Sequence, residues 1–411
     1  MRHDISHLYL KGYIMKMTKI GAVLLSAALL TGCSAGDTPT SGDISSIFGD
    51  DPTADKPASM IEMSSQQLVS SIRIGWNLGN SLDVCLADGE TTADGAEIDE
   101  TYGGNPYATR ELFASLVDEG VNAVRIPVTW RDHIDNDNNI SEEWLNRVQQ
   151  VVDFAYNCGM YVIINMQQDS AWINNAVSKH DITFKRYTRL WGQIAERFRD
   201  YNERLLFESM SEVAFDNIPA EKAYETLNSL NSAFVDTIRS SGGNNPERHL
   251  VVAGYAADIE QTCDRKFVMP NDPAGKCILS VHYYTPWQFC KTNIQSTWGT
   301  AEEQREMERL VDMLKTNFAD KGVPVIISEY AASGDDLDSE VFFCEKLVKM
   351  CDDYDIGTFM WDSGGQVDRE TYKWFYHEME SALQRATRGL SYTPEKGAYH
   401  EFATYPSEKI T

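Results

Sequence analysis

The stretch KGVPVIISEY, residues 321 to 330, contains the pattern that decides the fold: a short apolar run that ends in a carboxylate. Its valines and isoleucines follow one another without polar alternation, which is typical of a strand buried on both faces of a parallel sheet. Similar runs recur along the chain. The eight predicted strands are Arg73–Leu78, Ala123–Val128, Tyr161–Met166, Leu205–Met210, His249–Ala253, Ile278–Tyr283, Val323–Glu329 and Gly357–Trp361.

Segments with helical periodicity separate these strands. The best marked begins after Ser141, a residue type that caps helices, and ends at Gly159. Two others are predicted from Ala220 to the glycine pair at 242–243, and from Ser339 to before Gly357. Alternating strands and helices indicate a parallel sheet wrapped by helices, and eight strands close a barrel. We therefore predict a single α/β domain, a (β/α)8 TIM barrel, over residues 58–411.

An open doubly wound sheet is the rival architecture, but the first strand and its turn read IGWNLG, residues 74 to 79, without the glycine fingerprint that binds dinucleotides. The chain also has no Walker loop, no H-E-x-x-H string and no G-x-S-x-G string, and its eight histidines do not fall at metal-ligand spacing. We expect neither a metal nor an organic cofactor.

The N-terminal segment is predicted to be an export signal. Lys16 and Lys19 precede the apolar run 20–30, which is too short to span a membrane but suits a signal peptide. The run ends in Leu-Thr-Gly-Cys, which resembles a bacterial lipobox with Cys33 as the lipid-modified first residue. We expect translation to begin at Met15 or Met17, and residues 1–32 to be removed.

Residues 33–57 are rich in Ser, Asp, Pro, Thr and Gly, so they are predicted to form a flexible tether. The protein is therefore expected to be exported and lipid-anchored at the bacterial cell surface. Seven cysteines remain besides Cys33, an odd number with no C-x-x-C pair. Bridges between residues 263 and 277 or between 344 and 351 are conceivable, but buried thiols are the preferred interpretation.

The charge balance bears on the partner. Acidic residues outnumber basic ones by 62 to 36, which gives a formal net charge of -26. This field repels nucleic acid and anionic membrane surfaces but does not hinder a neutral polysaccharide. We expect a monomer that binds a neutral β-linked polysaccharide or oligosaccharide.

Two glutamates end strongly apolar strands. Glu212 closes LLFESMSE on the fourth strand, and Glu329 closes VPVIISE on the seventh. In a parallel barrel the carboxyl ends of all strands meet at one face, where the chemistry takes place. One such glutamate would most simply be a side chain that reaches water, but two favour a functional pair. A pair of carboxyl groups about 5 Å apart is what retaining glycoside hydrolysis requires.

Seven strings, in this order, resemble glycoside hydrolase family 5, the cellulase family, and the resemblance covers most of residues 60–400. They are GWNLGNSLDV from Gly75, VNAVRIPVTW from Val121, YVIINM from Tyr161, LLFESMSE from Leu205, SVHYYTPW from Ser280, PVIISEY from Pro324 and MWDS from Met360. The resemblance implies a retaining endo-β-1,4-glucanase or hemicellulase with a TIM barrel.

By position, the resemblance makes Glu212 the general acid/base and Glu329 the nucleophile. It places Tyr284 near the nucleophile and His282 near the acid/base, and it implies that Arg125 supports the nucleophile electrostatically.

The resemblance also places aromatic side chains along the substrate. Trp361 would stack on the sugar at the cleavage point, and Trp287 and Trp130 could extend this surface, because aromatic faces suit pyranose rings. Tryptophans at strand ends also often plug the barrel, and for Trp130 both interpretations stay open. Structural salt bridges are the alternative role for Arg125 and Asp362.

The chain departs from the family pattern at four places. Ser211 replaces the asparagine before the acid/base, Gln167 and Gln168 replace a His-His pair, and Ser328 and Ser363 replace a glycine and an asparagine. The family asparagine donates to the sugar 2-hydroxyl, and a shorter serine reaches it only through water. Glutamine can donate hydrogen bonds but carries no positive charge.

These departures leave two hypotheses. In the first, the protein is a retaining glycoside hydrolase that cleaves β-1,4-linked plant-wall polysaccharide such as cellulose, mixed-linkage β-glucan or xyloglucan, at a full or a reduced rate. In the second, it is a catalytically impaired lipoprotein that binds glucan at the cell surface through the same cleft. We favour the first, because both carboxylates and their predicted supporting residues are present.

Overall fold

The computed structural model describes residues 59–86 and 98–398, and in them eight parallel strands close into one barrel. The strands are β1 Ile74–Leu78, β2 Val121–Ile126, β3 Tyr161–Asn165, β4 Leu205–Glu208, β5 Leu250–Ala253, β6 Cys277–Tyr283, β7 Val325–Tyr330 and β8 Gly357–Asp362. They pair in chain order, and β8 pairs with β1 to complete the ring. The predicted barrel and all eight of its strands are confirmed.

Helices surround the barrel. In the described residues they are α1 Ser65–Ser71, α2 Arg110–Asp118, α3 Glu142–Asn157, α4 Ser170–Ile173, α5 His180–Arg197, α6 Ala220–Arg239, α7 Ile259–Thr262, α8 Trp287–Cys290, α9 Ala301–Asn317, α10 Leu337–Asp353 and α11 His377–Ala386. Between β5 and β6 the only α-helix is the four-residue α7. A two-stranded antiparallel sheet, Val367–Asp368 with Lys373–Trp374, follows β8.

The capping residue and the terminating glycine predicted from the sequence are found at the two ends of α3. Ser141 accepts a hydrogen bond from the backbone N–H of Trp144, and the helix ends before Gly159, which has a φ of +87°. By contrast, α10 begins at Leu337, two residues before the predicted Ser339. The hydroxyl of Ser339 is not a cap, because it accepts from the backbone N–H of Trp298, 2.9 Å away, and so fastens the segment after α8.

The barrel interior consists of two layers. In the lower layer, α1 closes the N-terminal end of the barrel. Leu68, Val69 and Ile72 pack there against inward side chains of seven strands: Ala123, Ile163, Leu206, Val251, Ile278, Ile326 and Phe359. Side chains two positions further along a strand point the same way. They form the upper layer, which is largely polar and includes Arg125, Asn165, Glu208, Ser280 and Ser328. The change from an apolar to a polar layer locates the functional end of the barrel.

The seven cysteines of the described residues are free thiols, and those at 290, 344 and 351 are buried. The two bridges considered from the sequence do not form, as preferred, but the expected burial holds only for these three cysteines, and the thiols of Cys263 and Cys277 are partly exposed. None of the described helices is long and apolar enough to cross a membrane. The predicted signal peptide, lipidation site and tether lie outside the described residues.

Candidate active site

An irregularity in β7 directs Glu329 into the barrel. Pairing with β6 joins Val281 to Ile327 and then His282 to Glu329, so that one residue, Ser328, is skipped. Strict alternation from the inward Ile326 would place Ser328 inside and Glu329 outside. The extra residue, a β-bulge, lets both side chains face the interior, and bulges commonly re-aim side chains beside active sites. Glu329 is therefore 2% exposed at the centre of the polar layer.

Three donors hold the carboxylate of Glu329. Its Oε1 accepts from Arg125 Nη1 at 2.8 Å and from Gln167 Nε2 at 3.0 Å, and its Oε2 accepts from the Tyr284 hydroxyl at 2.7 Å. Burial alone would raise the pKa of Glu329, but the Coulombic interactions of its carboxylate with His282, Arg125 and Lys291 outweigh burial and lower that pKa. The structure thus favours the ionised form of this carboxylate.

Arg125 lies between two buried carboxylates. Its Nε donates to Glu208 at 2.6 Å while Nη1 donates to Glu329, and Nη2 donates to Gln167 Oε1 at 3.1 Å. The Oδ1 atom of Asn77 accepts from Nη1 at 3.0 Å. Burial by itself would lower the pKa of Arg125, but the charges of Glu208 and Glu329 raise it. Arg125 thus belongs both to a structural ion pair and to the candidate site.

We expect Arg125→Met to lower the free energy of unfolding by about 3 to 5 kcal/mol at pH 7, because it leaves two carboxylates buried without their cation. The deficit should shrink at pH 5, where carboxyl groups that take up protons no longer need that cation. Urea unfolding followed by tryptophan fluorescence measures both values. Arg309→Met, which breaks exposed pairs with Glu260 and Glu306, is the control and should cost under about 1 kcal/mol. A deficit no larger than that of the control would contradict this account.

Glu212 reaches the same site from a loop. Its predicted place at the end of the fourth strand is wrong in detail, because β4 ends at Glu208. Glu212 has a φ of +51°, a left-handed conformation that costs a non-glycine residue about 1 to 2 kcal/mol. Its side chain is 50% exposed, and one carboxylate oxygen lies 3.0 Å from His282 Nδ1. This conformation turns the carboxylate over the barrel mouth, where water can reach it.

The two predicted carboxylates face each other. Oxygens of Glu212 and Glu329 and a ring nitrogen of His282 all lie within 4.8 Å of one another. His282 Nδ1 lies between the carboxylates, 3.6 Å from Glu329 Oε2. This spacing matches the separation of about 5 Å that a double displacement at one sugar carbon needs. The same three atoms could hold a cation, but Arg125 beside Glu329 disfavours a further positive charge there, and we assign none.

A buried polar chain supports this pair from behind. The Ser280 hydroxyl donates to Glu208 Oε1 at 2.7 Å and lies 2.6 Å from the Ser328 hydroxyl. Ser328, one of the departures from the family pattern, therefore links Glu208 to the bulge. Two residues of this buried layer, Glu208 and Asn77, are not among the site residues predicted from the sequence. The sequence pattern that could have identified them is a polar residue at an inward position of an otherwise apolar strand.

The aromatic side chains divide into two groups. Trp361 is partly exposed at the end of β8, and Trp287 is 42% exposed beside Tyr284. Gly79 makes room for the Trp361 ring, because a Cβ there would lie 2.7 Å from it. Trp130 is fully buried and donates to the Asn165 carbonyl, so the proposed substrate surface does not include it. Among these three tryptophans, only Trp361 and Trp287 can present a face to a sugar.

The glutamines that replace the family histidines occupy different places. Gln167 is part of the hydrogen-bond network around Glu329: it donates to Glu329 and accepts from Arg125 and from Asn165 Nδ2, the latter at 2.7 Å. Gln168 is exposed and takes no part in the hydrogen bonds around Glu329. The change at residue 167 is thus compensated in hydrogen bonding, although not in charge.

The serines at the other departures differ as well. Ser211 is 2% exposed, and its hydroxyl has no hydrogen-bond partner within the described residues. The backbone carbonyl of Ser363 accepts from Asn105. The preceding residue, Asp362, has a structural role, because its carboxylate accepts four backbone N–H groups of residues 364–367 and that of the Trp76 indole. The salt-bridge alternative considered for Asp362 applies too, with Arg369 at 3.7 Å.

Comparisons with known proteins find a matching family model and several related sequences. The family model of cellulases, glycosyl hydrolase family 5, matches residues 85–367. The cellulase/esterase CelE of Acetivibrio thermocellus is 35% identical over 346 residues, which cover 79% of this chain and 41% of CelE. Endoglucanase A of Clostridium longisporum is 30% identical over 347 residues, which cover 80% of this chain and 66% of the relative. The chain thus spans less than two thirds of each of these relatives.

A solved structure gives the same result at the level of the backbone. The family 5 lichenase of Caldicellulosiruptor sp. F32, as a mutant in complex with cellotetraose, superposes with a TM-score of 0.74 at 32% identity. The match covers 81% of this chain and 97% of the lichenase chain.

Proposed function

The chain belongs to the cellulase family, glycosyl hydrolase family 5, and from this premise we propose that it is a retaining glycoside hydrolase that cleaves β-1,4-linked plant-wall glucan. The observation that carries the proposal is the placement of the Glu212 and Glu329 carboxylates within 4.8 Å of each other at the barrel mouth. The aromatic faces of Trp361 and Trp287 beside them suit a neutral glucan chain. Cellotetraose in the related lichenase supports the same substrate class.

The surroundings of the two carboxylates support a division of roles. Glu329 is buried and accepts hydrogen bonds from Arg125, Gln167 and Tyr284, so it is held ionised and in place for attack on the anomeric carbon. Glu212 is half-exposed and can exchange a proton with water. We assign Glu329 as the nucleophile and Glu212 as the general acid/base.

The reaction takes two steps. Glu329 forms a bond to the anomeric carbon as the glycosidic bond breaks, and the leaving oxygen takes a proton from Glu212. A water molecule then gives a proton to Glu212 and bonds to the same carbon, and the electron pair of the ester bond returns to Glu329. The two inversions leave the product with the β configuration.

Product analysis tests this proposal. The purified protein is incubated with barley β-glucan, xyloglucan, carboxymethylcellulose and mannan, and released reducing ends are measured. Proton NMR at early times then identifies the anomer of the new reducing end. We expect the β anomer first, from a glucan rather than from mannan. An α anomer at the earliest times would refute the retaining mechanism.

The second hypothesis, a glucan-binding lipoprotein without turnover, rests on the missing 2-hydroxyl donor at Ser211. Affinity electrophoresis in gels that contain the same polysaccharides measures binding independently of cleavage. Retained binding without released reducing ends would favour this alternative.

We expect Ser211→Asn to raise kcat on β-glucan about tenfold or more. Ser211 provides a buried hydroxyl without a partner, whereas an amide restores a donor of the kind whose loss costs roughly 100- to 1000-fold in rate. Steady-state kinetics measure the change, and thermal unfolding shows whether the larger side chain fits. Ser209→Asn, at a buried serine that bonds Asn231, is the control and should not raise kcat. An unchanged kcat in a stable Ser211→Asn variant would mean that the 2-hydroxyl contact is supplied elsewhere.

We also propose that Cys33 anchors the enzyme at the cell surface. The support is the lipobox-like sequence that precedes it. Metabolic labelling with a fatty acid analogue tests this, because Cys33→Ala should abolish incorporation and release the protein from the membrane fraction.

A further inference from the structure

Lys291 reaches the candidate site from the segment that follows α8. Its ammonium nitrogen lies 3.6 Å from the ring centroid of Tyr284 and 5.7 Å from that of Trp361. The backbone N–H of Lys291 donates to the Trp287 carbonyl at 3.0 Å, which anchors the residue at the end of the helix. The side chain is half-buried. None of the motifs that identify the site includes this residue.

The contact with Tyr284 links Lys291 to the carboxylate. An ammonium over an aromatic face is attracted by the ring electrons. By withdrawing electron density from the ring, it also makes the phenol O–H a better donor. That O–H donates to Glu329 Oε2 at 2.7 Å. Lys291 thus acts on Glu329 both through its own charge and through Tyr284.

The charge balance around Glu329 shows why a second cation matters. The groups that face it or interact with its charge are Asp83 after β1, Arg125 on β2, Glu212 after β4, His282 on β6, Tyr284 after β6, and Lys291. Arg125 is shared with Glu208, so only part of its charge serves Glu329. Gln167 donates a hydrogen bond but no charge, where the family pattern has a histidine. Lys291 supplies a further positive charge from the loop that follows α8.

We propose that Lys291 is a positioning residue of this active site, which stabilises the carboxylate form of Glu329 and strengthens its hydrogen bond from Tyr284. The inference rests on the proposed function. It predicts an effect on two stages of the reaction. Before attack, the charge keeps Glu329 ionised. In the second step, negative charge returns to Glu329 as its ester bond breaks, and a nearby ammonium favours that departure.

Two measurements on Lys291→Met test the inference. The first is the pH profile of kcat/KM on an aryl cellobioside, whose acid limb reports ionisation of the nucleophile. Removing the cation raises the pKa of Glu329, so the acid limb should move to higher pH by about half to one unit. The second is the reactivation rate of the enzyme trapped with a 2-fluoro aryl cellobioside. It should fall roughly three- to tenfold, the rate equivalent of that shift.

Matched variants separate this role from structural effects. Lys291→Arg keeps the charge and should restore both values. Lys315→Met removes another lysine that lies over a tyrosine and should change neither value; Lys315 is on α9, and its ammonium nitrogen lies 5.4 Å from the ring centroid of Tyr354, which follows α10. Lys291→Gln replaces the methionine variant if that variant has a lowered melting temperature.

The outcomes are distinguishable. A Lys291→Met enzyme that matches Lys315→Met in both measurements would overturn the inference, and so would a change confined to KM, which would indicate substrate binding instead. If the wild-type protein neither turns over nor forms a trapped intermediate, the proposed function itself fails, and the inference fails with it.

Discussion

Glu329→Gln is expected to reduce kcat/KM on β-glucan by about 10⁴-fold or more, because an amide cannot form the glycosyl ester and enzymes that lose a covalent nucleophile lose activity on this scale. Binding of glucan should remain, since the amide has nearly the shape of the carboxylate. Initial rates of reducing-end release measure the loss, and affinity electrophoresis measures the binding.

Glu345→Gln is the control for this prediction. Glu345 is also a buried glutamate paired with an arginine, Arg385, at 2.7 Å, but it lies on α10 outside the barrel. The Glu345→Gln variant should be less stable than the wild-type protein but should keep its kcat. A Glu329→Gln variant that keeps more than a few per cent of wild-type activity would exclude residue 329 as the nucleophile.

Glu212→Ala should lower kcat on β-glucan by about 10²- to 10⁴-fold, the usual contribution of a general acid/base. The loss should depend on the leaving group. A dinitrophenyl cellobioside needs no protonation to leave, so the first step should stay fast and release a burst of phenol. The second step lacks its base, and the glycosyl-enzyme should accumulate. Stopped-flow absorbance measures the burst.

Azide provides a further test of Glu212. The missing side chain leaves space for a small anion that attacks without a base, so azide should accelerate turnover and give β-cellobiosyl azide. Glu225→Ala, at an exposed pair with Lys222 on α6, should show neither the burst nor the acceleration. Mass spectrometry of the trapped intermediate must find the sugar on residue 329, and a label on residue 212 would reverse the two roles.

The sequence by itself determined the barrel and the face of it on which the candidate site lies. β-Branched apolar runs and capped amphipathic segments are local patterns, so each strand and helix could be assigned from its own residues. Parallel pairing then brings every carboxyl end to one face, which is why Glu212 and Glu329 could be predicted to meet although 117 positions separate them. The family resemblance added the expectation of their chemistry.

Only the tertiary structure decided how the side chains of the candidate site are oriented and which charged groups surround Glu329. The β7 bulge depends on register with β6, and without it alternation would turn Glu329 away from Arg125. The place of Lys291 over Tyr284 and the burial of Trp130 depend on how loops pack across strands. These features arise from contacts between residues distant along the chain or from loop packing, and no local pattern in the sequence encodes such geometry.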